Sequence, residues 1–316
     1  MLGPRSLVIG TRGSKLALWQ AEHVAARLRG TFPECPVGLK IIKTTGDKIQ
    51  DVPLAQVGGK ALFVKEIEEA LLAGQVDLAV HSMKDVPTAL PAGLVIAAVS
   101  EREDPLDVLI SRTGARLAGL PRGARVGTSS LRRQAQLLHH RPDFSVVGLR
   151  GNLDTRIRKL QEEGLDAIVV AAAGVRRLGL AYLITETLPA DILLPAIGQG
   201  ALGIEVRAPS PERQAPSILQ MMTVLDHPET HIAVRAERAL LIRLEGGCQV
   251  PIAAHATISG EGISVRGLVA SLDGKRLVRG EMHGPTGSSE ALGTNLAEDL
   301  LSRGAAEILH EIYARG

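Results

Sequence analysis

Between residues 122 and 177, ten arginines and one lysine stand against five acids, a local charge of +6. The whole chain, with 36 Lys+Arg and 34 Asp+Glu, carries only +2. Arginine presents a planar fork that matches carboxylates and phosphates, so Arg132, Arg133, Arg150, Arg156 and Arg177 suggest a polyanionic ligand. A solvated basic face would account equally for any one of them. Position favours the ligand. Arg132-Arg133 fall in the first turn of an expected helix, Arg150 follows the apolar pair Val146-Val147, and Arg177 lies beyond the apolar residues 168–170. Strand C-termini and helix N-termini gather at one edge of an open α/β sheet, where ligands bind.

Three other groups carry chemistry. His81-Ser82-Met83-Lys84-Asp85 follows the apolar run 78–80, where a loop should enter a site. Asp85 beside Lys84 reads either as a surface ion pair or as a carboxylate able to stabilise a cationic intermediate. Thr11-Arg12-Gly13-Ser14 and Thr128-Ser129-Ser130 offer hydroxyls and backbone N–H groups at helix starts, useful for capping or for anions. Cys248 lies in Glu245-Gly246-Gly247-Cys248-Gln249-Val250-Pro251, just past a helix. A lone cysteine is usually a small buried hydrophobe. The negative end of that helix disfavours a thiolate, so a thiol bearing something permanently attached fits better than a redox catalyst. His227 and His231 are four apart but have no third ligand, so no metal site is expected.

The elements that must position these groups alternate. An apolar run at 7–9 precedes helical spacing of Leu16, Leu18, Trp19, His23, Val24 and Leu28, with Ser14 as the expected N-cap. A strand near 37–43, a helix over 62–72 and a strand at 77–80 follow, a pattern that predicts a parallel sheet. The plan recurs weakly: Val126-Gly127-Thr128-Ser129-Ser130 echoes Ile9-Gly10-Thr11-Arg12-Gly13-Ser14, and residues 166–170 echo 77–81. Two similar α/β domains are expected, 1–100 with 201–222 and 101–200. After Pro209-Ser210-Pro211 the pattern changes. A helix begins around Asp226-His227-Pro228 and stops at Gly246-Gly247. Short strands at 252–258, 263–270 and 276–281 follow, and then a helix over 292–313 interrupted at Gly304. Residues 223–316 thus read as a third, α+β domain.

Composition excludes several classes. Six aromatics among 316 residues leave too few platforms for stacked bases, and the balanced charge argues against a nucleic-acid protein. No run of 18 apolar residues predicts a membrane span, and residues 1–11 lack the apolar stretch of a secretion signal. Cys35 and Cys248 form no disulfide framework, so a cytoplasmic location with reduced thiols is expected. Nothing fits GxxxxGK[ST] or GxGxxG, which leaves a nucleotide-binding enzyme without a motif.

Taken together, the motifs resemble the porphobilinogen deaminase (hydroxymethylbilane synthase) family. They are Gly10-Thr11-Arg12-Gly13-Ser14-Lys15-Leu16-Ala17, Val57-Gly58-Gly59-Lys60, His81-Ser82-Met83-Lys84-Asp85-Val86-Pro87, Glu101-Arg102-Glu103-Asp104-Pro105, Gly127-Thr128-Ser129-Ser130-Leu131-Arg132-Arg133, Leu149-Arg150-Gly151-Asn152, Pro195-Ala196-Ile197-Gly198-Gln199-Gly200 and Leu244-Glu245-Gly246-Gly247-Cys248-Gln249-Val250-Pro251. They stand in family order over almost the whole chain. The resemblance implies an α/β fold with two periplasmic-binding-protein-like (type II) domains facing a cleft, plus a small α+β C-terminal domain. It implies a dipyrromethane cofactor joined by a thioether to Cys248. It also implies stepwise condensation of four porphobilinogen molecules with loss of ammonia, then release of a linear tetrapyrrole by water.

Under that resemblance Asp85 faces the pyrrole nitrogens and stabilises the cation left when ammonia departs. Lys84, Ser129, Arg132, Arg133, Arg150 and Gln199 bind the cofactor, and Arg12, Ser14, Arg150, Arg156 and Arg177 bind substrate carboxylates. Lys60 and Phe63 belong to a lid. No metal, membrane or nucleic acid is implied, and a monomer is expected. Three positions depart from the family pattern: Gln56 and Thr45 stand where a basic residue is usual, and Ala61 where glycine is usual. Asp47 keeps an acidic position. A non-catalytic receptor for anionic small molecules would use the same basic site, but would need neither Cys248 nor Asp85.

Overall fold

The structure, a computed structural model, describes residues 6–48, 63–209, 218–246 and 250–314. The chain opens with β1 (Leu7–Thr11), α1 (Lys15–Thr31), β2 (Val37–Ile41), α2 (Thr45–Lys48), α3 (Lys65–Leu72), β3 (Leu78–Ser82) and β4 (Leu94–Val99). It continues with β5 (Asp107–Ser111), β6 (Arg125–Gly127), α4 (Leu131–His140), β7 (Ser145–Val147), α5 (Leu153–Glu162), β8 (Ala167–Ala171), α6 (Ala172–Arg177) and β9 (Glu186–Leu188). Then come β10 (Leu202–Arg207), α7 (Ile218–Met222), α8 (Pro228–Arg243), β11 (Ile252–Ser259), β12 (Gly262–Ala270), β13 (Leu277–Pro285), α9 (Ser289–Leu300) and α10 (Ala306–Tyr313). Among the described residues two compact units result: 6–48 with 63–102, 201–209 and 218–231, and 103–200 with 232–246 and 250–314.

The first unit holds a five-stranded sheet in the order β2-β1-β3-β10-β4. β1 is parallel to β2 and β3, but β10 runs antiparallel to both β3 and β4. The sheet is therefore mixed, not parallel as the local alternation predicts. The reason is topological: β10 returns from a distant part of the chain and slots between two strands already adjacent in sequence. Leu7 and Ile9 of β1 point into a core shared with Ala21, Val24, Ala25 and Leu28 of α1. Val8 packs on the opposite side with Ile67, Ala70 and Leu71 of α3. Both faces are covered, and each fully buried Leu or Ile contributes about 1.5–3 kcal/mol of transfer free energy. Ser14 caps α1 as expected, accepting from Ala17 N–H at 3.2 Å.

The second unit repeats the plan with β7-β6-β8-β5-β9, in which β5 is the antiparallel insert. Each strand of this sheet thus has a counterpart in the other, the α/β arrangement expected for both halves. The same unit carries the antiparallel sheet β11-β12-β13, covered by α8, α9 and α10 through Ala236, Leu240, Leu296, Leu300 and Ile308. The expected last helix is two, α9 and α10, parted by a kink where Gly304 takes φ +104°. At the start of α8 the cap is His227, whose Nδ1 accepts from Thr230 N–H at 3.2 Å, and Pro228 is the first helical residue. Asp226 instead accepts from Val99 N–H at 2.7 Å and lies 2.8 Å from His231 Nδ1. Both histidines are thus occupied, and no group of three possible metal ligands exists among the described residues.

Candidate functional site

In the second unit the C-terminal ends of β6, β7 and β8 meet the first residue of β5, and that residue is Asp107. It is fully buried. Ser130 caps α4 by accepting from Arg133 N–H at 3.4 Å, which puts Arg132 and Arg133 in the first turn above the strand ends. Arg132 Nη1 donates to Asp107 Oδ2 at 2.8 Å and to the Leu194 carbonyl at 2.7 Å. Arg133 donates from Nε and Nη2 to Asp107 Oδ1, at 3.0 and 2.7 Å, and from Nη1 to the Val169 carbonyl at 3.2 Å. Gln199 is buried, and its Nε2 donates to Asp107 Oδ1 at 3.0 Å and to the Pro105 carbonyl at 2.6 Å.

Each arginine is only 5% exposed, so neither belongs to a solvated basic face. Burial acts to raise Asp107, but the charges and hydrogen bonds of Arg132 and Arg133 outweigh it and hold the carboxyl well below its usual range. Arg132 is lowered, by burial first, with Asp107 opposing and Arg133 repelling. The two shifts point to one imbalance: a single carboxylate serves two guanidiniums. A surplus positive charge is left at the strand ends, suited to an anion.

Arg150 follows β7 and is half-buried, and its Nη2 is a buried donor without a hydrogen-bond partner. The turn behind it is fixed by Gly151 at φ +111°, where an added Cβ would come within 2.6 Å of Thr155. Ser129 Oγ donates to the Leu149 carbonyl at 2.8 Å, Arg156 Nε to the Gly151 carbonyl at 2.8 Å, and Arg177 Nη2 to the Gly200 carbonyl at 2.6 Å. Burial lowers Arg177, with Glu103 opposing. An orphan donor and a cationic surplus in the same unit are features that an anionic group with several carboxylates would satisfy.

In the first unit Arg12 follows the end of β1, with its guanidinium carbon 4.3 Å from the Phe63 ring centroid. Phe63 is thus occupied by a cation here. Lys84 and Asp85 sit in the 3-10 turn Met83–Asp85 directly after β3, Lys84 half-buried and Asp85 exposed. Thr45 uses both its N–H and its hydroxyl on Glu66 Oε1, at 2.7 and 2.5 Å. Lys60, Gln56, Ala61 and Cys248 lie outside the described residues, as does the side chain of Asp47.

Sequence reasoning missed Asp107, the residue on which Arg132, Arg133 and Gln199 converge. Its signal was a charge opening an otherwise apolar strand, Asp107-Val108-Leu109-Ile110, two positions beyond the motif ending at Pro105. It also missed Glu68 and Glu205, buried acids in α3 and β10.

Residues 7–215 match the porphobilinogen deaminase, dipyrromethane cofactor binding domain, and residues 231–302 match the porphobilinogen deaminase, C-terminal domain. The chain belongs to the porphobilinogen deaminase family. Among family members, the porphobilinogen deaminase of Pelobacter propionicus is 58% identical over 312 residues, covering 99% of both chains. That of Geobacter metallireducens is 57% identical over 314 residues, covering 99% of this chain and 97% of the relative. Among solved structures, the alkanesulfonate-binding protein SsuA from Xanthomonas axonopodis pv. citri aligns with a TM-score of 0.40 at 16% identity, over 77% of this chain and 75% of that one. The family's cofactor is a dipyrromethane. No helix among the described residues is long and apolar enough to cross a membrane.

Proposed function

We infer that this protein is a hydroxymethylbilane synthase, a transferase that joins four porphobilinogen molecules head to tail with loss of ammonia and then releases the linear tetrapyrrole. The structural observation that carries the reading is the buried cationic surplus of Arg132 and Arg133 on the single carboxylate of Asp107, together with the orphan Nη2 of Arg150 in the same unit. Every pyrrole of this chemistry bears an acetate and a propionate, so substrate and cofactor need fixed cations. When bound, the dipyrromethane supplies the pyrrole end to which new units are joined.

Arg132, Arg133, Arg150, Lys84 and Ser129 would hold the cofactor's polar groups, with Cys248 as its thioether anchor. Gln199 and Asp107 act indirectly, fixing the two guanidiniums so that their remaining donors face the ligand. Arg12, Ser14, Arg150, Arg156 and Arg177 bind substrate carboxylates, and Lys60 and Phe63 cover the site. Asp85 faces the pyrrole nitrogens and stabilises the positive charge that develops on the substrate as ammonia leaves. We further propose a cytoplasmic monomer, divided near residues 100, 200 and 222 into two α/β domains and an α+β domain, one for each sheet.

The test combines turnover and mass. Incubation with porphobilinogen followed by acid oxidation should give porphyrin absorbance. The intact protein should weigh more than its sequence by one dipyrrole unit, and Cys248→Ala should remove that increment. An active protein of unmodified mass would overturn the covalent cofactor, and absence of any porphyrin would leave an anion receptor.

A further inference from the structure

Directly before the Met83–Asp85 turn lies a buried group of acids that none of these roles uses. Glu68 of α3 is 4% exposed, Glu205 of β10 is 1% exposed and His81 of β3 is 6% exposed. His81 Nε2 lies 3.0 Å from Glu205 Oε2. Oε1 of Glu68 and Oε1 of Glu205 are both buried without a hydrogen-bond partner. His81 faces Glu205, and Glu68 is buried on the helix that packs against the same two strands; two ionised carboxylates served by one imidazole would leave buried negative charge uncompensated, which is costly. A proton on Glu68 lowers that charge and supplies a donor where the orphan oxygens have none. Burial first, and then the Glu205 carboxylate, push Glu68 up to about 7, with His81 opposing and Glu69 adding.

The remaining charges around Glu68 are accounted for among the described residues. β1 and β4 carry no titratable side chain. On β10, Arg207 donates to the Leu71 and Val76 carbonyls and lies 3.5 Å from Asp77. On α3 itself, Glu66 accepts from Thr45, and Lys65 lies 3.9 Å from Glu69.

The strands that hold this group also hold the turn. In the β3–β10 ladder His81 pairs with Gly203 and Ala79 with Glu205. Met83 N–H donates to the Ala201 carbonyl at 3.0 Å, and Gln20 Nε2 donates to Ser82 Oγ at 2.9 Å. The Met83 sulfur packs so tightly on β10 that a Cβ at Gly203 would stand 2.8 Å from it. Any spreading of β3 from β10 or α3 therefore moves Met83, and with it Lys84 and Asp85.

We propose that Glu68, Glu205 and His81 form a positioning cluster whose single exchangeable proton sets the seat of the Met83–Asp85 turn and so the placement of Asp85. Protonated, Glu68 ties α3 to the β3–β10 pair. Ionised, it repels Glu205, and the turn shifts. The functional side of this inference rests on the role given to Asp85 above; the structural side does not.

The chain has five methionines, so protein labelled with 13C at the methionine methyls gives few signals, and Met83→Leu assigns the one that matters. In the unaltered protein the Met83 methyl shift should titrate with a midpoint near 7, and kcat with porphobilinogen should carry a step at the same pH. Glu68→Gln should abolish both the titration and the step, and Glu205→Gln should move the midpoint to lower pH. A Met83 signal that does not titrate in the unaltered protein overturns the proposal without recourse to any variant. A titration that survives Glu68→Gln does so too. Asp85→Asn separates the two readings. It should depress kcat at every pH while leaving the Met83 titration intact, and full activity in that variant would remove Asp85 from its role without touching the cluster.

Discussion

Asp107 is the only acid hydrogen-bonded to the buried guanidiniums of Arg132 and Arg133 among the described contacts, so removing its charge leaves two buried cations uncompensated. Breaking a buried ion pair at one partner costs about 3–5 kcal/mol. Asp107→Asn should therefore lower unfolding free energy by about that amount in denaturant titration, and a loss below ~1 kcal/mol would mean the guanidiniums find other partners. The pH signs of the two buried acids are opposite. Asp107 is depressed, so its contribution is complete above the ordinary carboxylate range and is lost only as the solution becomes strongly acid. Glu68 is raised, so stability falls as pH climbs from 4.5 to about 7 and is flat beyond. The arginines were legible in the sequence as a charge run at a helix start. Their burial was not. A solvated face and a free anion site were the two readings available, and the structure adds a third element, an internal counter-ion that joins three distant segments.

Strands and helices were legible wherever a local pattern decides them. Ser14 as a cap, Pro228 opening α8 and Gly304 breaking the last helix all follow from residue types and spacing. Sheet polarity was not legible, because β5 and β10 carry nothing in their own sequences that fixes a neighbour or a direction; the return path of the chain does. The crossing of α8 and α9 is equally non-local. An added Cβ at Gly293 would stand 2.1 Å from the Ala236 carbonyl oxygen, closer than any real contact. Helix propensity alone favours alanine over glycine by about 1 kcal/mol, while overpacking costs about 1–3 kcal/mol. The second effect should win, so Gly293→Ala is expected to destabilise in thermal or denaturant unfolding. A stabilised variant would show that the two helices sit further apart.

At the scale of the whole molecule, a net charge of +2 conceals buried cations that repel each other more than the total suggests. Arg132 and Arg133 share one carboxylate, and Arg150 has an orphan donor in the same unit. An anionic group held there would act as counter-ion to the native state alone, since the unfolded chain cannot gather these arginines. A ligand present at about a thousand times its dissociation constant stabilises by about 4 kcal/mol, and a permanently attached one acts at a high effective concentration. Loading with dipyrromethane should accordingly raise the melting temperature by roughly 5–10 °C over protein kept empty by Cys248→Ser, at equal pH and salt. Because the repulsion is buried, added salt should remove little of that difference, whereas a gain arising from surface charges would fade within the screening range of ordinary buffers. Equal melting temperatures for the loaded and empty proteins would mean that Asp107 already neutralises the site, and the surplus inferred from one carboxylate facing two guanidiniums would have to be abandoned.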